Sequence, residues 1–216
     1  MIVRYWMTPS PHTIVPMATL LEVIEIFRRE RVRRLPVVDS TALVGMISRS
    51  DLYPIVNSHL LRGNVALPQE TKDLLRSHKV HSWMTSRLEV CSPNDPIEHV
   101  GERMLERQIG ALPVVHDQSL VGIITESDIF KAFTRIARAG AETRRICLLV
   151  PHAEQSETIA RLVSLAHEYE AHIFVVLCHN TDRPGEQLVM ARIGGPKTQL
   201  LIDRLWRTRM QVLQVV

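Results

Sequence analysis

Two short stretches of this 216-residue chain carry the residue types that bind polar ligands. They are LVGMISRSDL at 43–52 and LVGIITESDI at 120–129. Each ends an apolar run in a hydroxyl followed three residues later by a carboxylate, Ser48 with Asp51 and Thr125 with Asp128. One use of that spacing is internal: a hydroxyl and a carboxylate three apart can satisfy two free backbone N–H groups at a helix start. The other use is a sugar. A carboxylate at a helix N-terminus can accept hydrogen bonds from both hydroxyls of a ribose, and the helix start favours anionic groups. Gly45 and Gly122 are expected to clear the strand end for a ligand's approach. Arg33, Arg34 and Arg49 surround the first junction and suit phosphates through paired, charge-assisted hydrogen bonds. Gly110, Ala111 and Glu126 stand at the second, where a glutamate would repel them.

The elements that must position these groups form an internal repeat. Residues 6–52 align without a gap on 83–129, sharing WMT at the start, LPVV in the middle and LVGxIxxSD at the end. Each copy reads as strand, helix, strand, strand, helix. The short first strands are Thr13-Ile14-Val15 and Val90-Cys91-Ser92. The helix of copy two is expected to start with Asp95 as N-cap, Pro96 at its first position and Glu98 closing a capping box; Thr19 and Glu22 offer the same spacing in copy one. Ile97, Val100, Met104 and Leu105 mark its apolar face. LPVV and LVGMI read as strands separated by a five-residue polar turn. One copy alone would leave a sheet face uncovered, so the two are expected to pack their sheets together. Between them the pattern predicts a helix over 53–62, a turn at Arg62-Gly63-Asn64 and a helix near Gln69–Ser77.

With these marks the chain resembles a pair of cystathionine-β-synthase-type (CBS) domains, the tandem regulatory arrangement called a Bateman module. The resemblance covers roughly residues 1–138. It implies a cleft that takes the adenosine of AMP, ADP, ATP or S-adenosylmethionine. Ser48, Asp51, Thr125 and Asp128 would hold the ribose and Arg33, Arg34 and Arg49 the phosphate. Ile14, Leu35, Pro36, Cys91, Leu112 and Pro113 would wall the adenine. Copy one would contact the phosphate end while copy two takes a nucleoside or stays empty, unless the clefts share residues and the assignment inverts.

Past AGAETRR the pattern changes. RRICLLVP, HIFVVLCHN, QLVMARIGG and MQVLQVV read as strands. SETIARLVSLAHEYEA, with Ile159, Leu162, Val163 and Ala166 on one face, and PKTQLLIDRLWRTR read as helices. The order βαββαβ is that of a ferredoxin-like fold, and after paired CBS domains it resembles an ACT-like domain. The combination is similar to bacterial acetoin-utilisation accessory proteins. The loop VPHAEQSE lacks the glycine that many ACT domains place after their first strand, which favours association or signal relay over amino-acid binding. The fold class is therefore α+β: CBS domain 1 at 1–62, a linker at 63–82, CBS domain 2 at 83–138 and an ACT-like domain at 143–216.

Composition narrows the function. The net charge is +3, spread as +4, −3 and +2 over residues 1–80, 81–142 and 143–216, which is a small bias for a nucleic-acid binder. The dense cluster RRERVRR at 28–34 reads as a partly solvated helix end with an anion contact. Three scattered cysteines fit a reducing compartment, and no signal peptide or membrane span is visible; the expectation is cytoplasmic. Ten histidines, with His78 and His81 nearest each other, show no ligand spacing, so no metal is expected. No P-loop, GxSxG or triad pattern supplies a catalytic group. The expected protein is a non-enzymatic sensor of an adenosyl ligand, with no cofactor, a homodimer acting on an unidentified protein target. Two alternatives stand beside it. One is a ligand-independent scaffold in which both junctions are caps only; the other is a DNA-binding regulator using the arginine-rich segment.

Overall fold

The computed structural model describes residues 1–56, 61, 66–138, 140, 142–208 and 210–216. The turn expected at Arg62-Gly63-Asn64 and most of the helix expected over 53–62 lie outside the described residues. The chain folds as two compact units, Met1–Phe130 and Lys131–Val216, so the division falls within a helix, Glu126–Ala137.

The first unit holds both copies. In copy one, α1 (Leu20–Arg29) buries Leu20, Val23, Ile24 and Phe27 against β2 (Arg34–Asp39) and β3 (Ala42–Ser48). α2 (Gln69–Ser77) follows. Copy two repeats the plan with α3 (Ile97–Arg107), β4 (Ala111–His116), β5 (Ser119–Thr125) and α4 (Glu126–Ala137). The hairpins match residue for residue. Arg34 pairs with Ser48 and Ala111 with Thr125, and both carry a bulge, between Val37 and Val38 and between Val114 and Val115. Their loops are two residues long, not five. Asp117 and Gln118 sit at φ 48 and 63, and Ser40 at φ 56, the left-handed values that suit tight hairpins. The first strands shrink to single bridges, Ile14 to Val37 and Cys91 to Val114. The hairpins meet edge to edge at their tips, where Ala42 pairs with Ser119, so one hydrogen-bonded sheet runs through both copies.

The copies exchange their leading segments. β1 (Thr8–Pro9) pairs with β5 of copy two, while Thr85 pairs with Met46 of copy one. The adjoining turns cross in the same way. Val3 N–H donates to the Asp95 carbonyl at 3.0 Å, and Val80 N–H to the Ala18 carbonyl at 2.9 Å. This crossing explains Gly45 and Gly122, and it corrects their expected role. A Cβ on Gly45 would collide with Met84 Sδ and lie 3.2 Å from the Thr85 carbonyl. On Gly122 it would stand 2.6 Å from Met7 Sδ and 3.1 Å from the Thr8 carbonyl. The glycines make room for the partner copy's WMT segment, not for a ligand.

Two details of the helices differ from expectation. Thr19 caps α1 with the full reciprocal box, but Asp95 does not cap α3, whose N-cap is Pro96. The N-cap position falls on Pro96, the repeat equivalent of Thr19, which has no side-chain acceptor. The Met1 carbonyl accepts from Ile97 N–H at 3.0 Å, and Asp95 turns back to accept from Ser92 N–H at 3.0 Å. Leu105, expected on the apolar face, is 77% exposed, while Ile97, Val100 and Met104 are buried.

In the second unit β6 (Arg144–Pro151), α5 (Gln155–Glu168), β7 (His172–Asn180), β8 (Glu186–Gly194), α6 (Thr198–Trp206) and β9 (Gln211–Val215) follow in that order. The sheet order is β7-β8-β6-β9, with every neighbouring pair antiparallel. Leu162 and Ala166 of α5 and Leu201, Ile202 and Leu205 of α6 close the core over Ile146, Leu148, Val189 and Ala191. Val163, expected on that face, is half exposed. Among the described residues no helix is long and apolar enough to cross a membrane.

Candidate functional site

At the first junction β3 ends at Ser48, and the chain enters a single 3-10 turn, Ser50–Leu52. Ser48 N–H and its hydroxyl both donate to Asp51 Oδ2, each at 2.6 Å. The Ser50 hydroxyl lies 2.7 Å from that of Ser48. At the second junction Thr125 N–H and hydroxyl donate to Asp128 Oδ2 at 3.1 and 2.6 Å. Here Asp128 N–H also returns a bond to Thr125 Oγ1 at 3.3 Å, so the box is reciprocal and α4 starts on it. Both carboxylates are half-buried and held in one orientation by two local donors. Such an acceptor pays little reorganisation on meeting a diol.

The arginines divide. Arg49 Nη2 donates to the Phe27 carbonyl at 3.0 Å, and its guanidinium lies 5.8 Å from the Phe27 ring centre. It satisfies a carbonyl in the last turn of α1, where helix carbonyls lack internal partners. Arg33 is exposed, and its carbonyl accepts from Arg49 N–H at 3.0 Å. Arg34, paired opposite Ser48, reaches across to copy two. A Cβ on Gly110 would collide with its Nη2 and lie 3.1 Å from both its Cζ and Glu126 Oε2. The Arg34 guanidinium of copy one and the Glu126 carboxylate of copy two thus both lie beside Gly110.

The six wall residues gather as two threes. Ile14 N–H donates to the Pro36 carbonyl at 3.1 Å beside Leu35, and Cys91 N–H to the Pro113 carbonyl at 3.0 Å beside Leu112. All six are buried; Leu35 and Leu112 are sealed within the core at 0% and 1% exposure. Burial, with the Asp95 carboxylate adding and Arg103 opposing, pushes the Cys91 thiol up to about 12. It stays protonated near neutrality and is no nucleophile.

The remaining polar groups have structural work. His78 Nδ1 lies 2.9 Å from the Leu74 carbonyl at the end of α2, and its ring meets Trp83 edge-on at 5.5 Å. His81 Nδ1 lies 3.2 Å from the Ser82 hydroxyl. Among the described residues no three His, Cys, Asp or Glu side chains gather as metal ligands.

Sequence reasoning missed the crossing of Arg34 and the seating of Met7 and Met84. Its available signal was the mismatch between repeats, Arg33 against Gly110 and Arg49 against Glu126, which marks where the copies differ in use.

Comparison with known proteins places both copies in one family. The CBS-domain family model matches residues 3–57 and 80–135, one match per copy. An uncharacterized protein of Methanocaldococcus jannaschii is 30% identical over 135 residues, covering 52% of this chain and 80% of that protein. The crystal structure of a protein assigned to acetoin utilization in Vibrio cholerae superposes with a TM-score of 0.52 at 27% identity, over 64% of this chain and 93% of that one. The crystal structure of CBSX2 in complex with AMP gives 0.52 at 28% identity, over 63% of this chain and 98% of that one.

Proposed function

The chain belongs to the CBS-domain family, with two copies forming one Bateman pair, and from that premise we propose that it is a non-catalytic regulator sensing an adenine nucleotide. Ser48 with Asp51 and Thr125 with Asp128 hold the ribose, and Arg33 and Arg34 meet the phosphate. Arg49 is left out of the phosphate set because its guanidinium serves Phe27. The observation that carries the reading is the doubled, pre-oriented carboxylate: one acceptor per junction, each fixed by its own hydroxyl and N–H. AMP is the first candidate because the similar CBSX2 pair was crystallised with AMP; ADP, ATP and S-adenosylmethionine follow it. The buried walls at Ile14, Leu35, Pro36, Cys91, Leu112 and Pro113 must open by side-chain or strand movement to admit a base.

The second unit is proposed as an ACT-like domain over 143–216. Its support is a β-α-β-β-α-β order with strands arranged β7-β8-β6-β9, as in a ferredoxin-like sheet. It would associate with a second copy or relay occupancy to a protein target in the cytoplasm. Repeat boundaries at 1–62 and 83–138, with 63–82 between, belong to the same proposal, although the exchanged segments mean that each copy is completed by the other. Coupling requires that the nucleotide bind two arrangements with different affinity.

One observation favours a scaffold instead: both carboxylates already serve as local caps. A thermal-shift series with AMP, ADP, ATP and S-adenosylmethionine separates the readings. A ligand selective for the native state raises the melting temperature; a flat response at millimolar concentrations supports the scaffold.

A further inference from the structure

Gly110 has no left-handed backbone to account for it. The Arg34 guanidinium lies where a side chain on Gly110 would go, with the Glu126 carboxylate beside it. Arg34 begins in copy one, opposite Ser48. Glu126 opens α4 beside Thr125, in copy two. In the repeat, Gly110 stands where copy one has Arg33, and Glu126 where copy one has Arg49. A cation of one junction and an anion of the other are thus directed at a single point between them.

The geometry points to Arg34 and Glu126 as a shared charge gate that sets how much phosphate charge the pair accepts, Arg34 recruiting and Glu126 opposing. This rests on the adenine-nucleotide reading of the two junctions. Both groups lie beside Gly110, so a phosphate that meets Arg34 there also meets the charge of Glu126. Each added phosphate charge also meets the field of Glu126 across a partly solvated cleft. A singly phosphorylated nucleotide satisfies Arg34 at little cost, whereas a triphosphate places further negative charge near an anion. The gate therefore selects monophosphate over triphosphate, without altering how the ribose and base are held.

Calorimetric titration of the full chain with adenosine, AMP and ATP tests this, with inorganic pyrophosphate as a probe lacking the nucleoside. Glu126→Gln is expected to tighten ATP by about tenfold and AMP by less, with adenosine unchanged, as a unit charge removed at several ångströms in a solvated cleft allows. Arg34→Met is expected to weaken AMP by about tenfold, again sparing adenosine. Gly110→Ala, whose methyl displaces the guanidinium, should follow Arg34→Met in direction. Glu126 is exposed and Arg34 half-buried, so Glu126→Gln and Arg34→Met should melt close to the parent chain. Ratios of AMP and ATP to adenosine that stay within about twofold of the parent in Glu126→Gln would overturn the gate. If the parent binds no adenosine compound, the nucleotide reading falls by itself. Pyrophosphate then decides the gate: binding tightened by Glu126→Gln and weakened by Arg34→Met supports it, and binding that is absent or indifferent to both overturns it.

Discussion

The two copies share a hairpin down to the position of its bulge, yet they finish it differently. Copy one closes on a one-sided arrangement, two donors into Asp51 and a short 3-10 turn. Copy two closes on a reciprocal box and runs directly into a helix of 12 residues. The difference teaches that a Ser/Thr–Asp pair is not one device. Where a helix follows, the carboxylate supports its start; where only a turn follows, it orients side chain and backbone with less structural return. Duplication preserves the acceptor and leaves its surroundings free to diverge, as Arg34 against Ala111 and Arg49 against Glu126 illustrate.

The largest expected effect tests what the copies share. Gly45→Val and Gly122→Val should each destabilise by about 1–3 kcal/mol, the range for overpacking a filled site, seen in urea unfolding midpoints. Because the obstruction is the other copy's methionine, Met84→Ala should recover part of the first loss and Met7→Ala part of the second. Crossed combinations should recover nothing. Rescue by the wrong methionine would show that the segments are not exchanged.

Next comes the difference between the junctions themselves. Asp128→Ala removes a reciprocal cap and should cost about 1–2 kcal/mol, whereas Asp51→Ala should cost about half as much. Equal losses, or a larger one at Asp51, would erase the contrast drawn above.

The smallest effect, that of Pro96→Ala, lies at the helix starts. Thr19→Ala should cost about 1 kcal/mol through its lost box, while Pro96→Ala, with no side-chain cap to lose, should stay within about 0.5 kcal/mol. Glu22 adds a pH signature. The Thr19 backbone N–H and then its hydroxyl hold the Glu22 carboxyl below its usual 4.5, with Lys79 adding and burial opposing. A carboxylate depressed in the folded state stabilises fully above its unfolded value, and that stability is lost as pH falls through the folded one. Glu22→Gln should therefore flatten the acid side of the stability curve below about pH 4.5 and leave neutral pH nearly level in slope. An unchanged acid limb would contradict the box. The gain is modest because Glu22 is exposed.

Much of this organisation is legible in the chain. A constant offset of three blocks gives the repeat, alternating apolar residues give the hairpins, and Thr19 with Glu22 gives a true capping box. Two of the misreadings, at Gly45 and Arg49, depend on a distant partner. Asp95, Pro96 and Glu98 spell a capping box, but the N-cap falls one residue later, on Pro96, and Asp95 turns back to Ser92. Gly45 looks like a ligand clearance until Met84 arrives from the other copy. Arg49 sits inside a binding motif, yet its Nη2 donates to the Phe27 carbonyl. Periodicity and spacing encode local preference; an exchange of segments between two nearly identical copies costs neither copy its pattern, so the pattern cannot reveal it. In the second unit the β7–β8 hairpin joins neighbours in sequence, so its two apolar runs and polar turn suffice to show it.

The claim on which the account turns is that Asp51 or Asp128 grips a ribose diol. Titrating the full chain with AMP and with 2′,3′-dideoxy-AMP isolates it, since only the two hydroxyls differ. Loss of charge-assisted bonds of about 1.5–3 kcal/mol should weaken the dideoxy compound roughly ten- to a hundredfold. Equal affinity for the two nucleotides would leave the carboxylates as caps alone and contradict the ribose assignment.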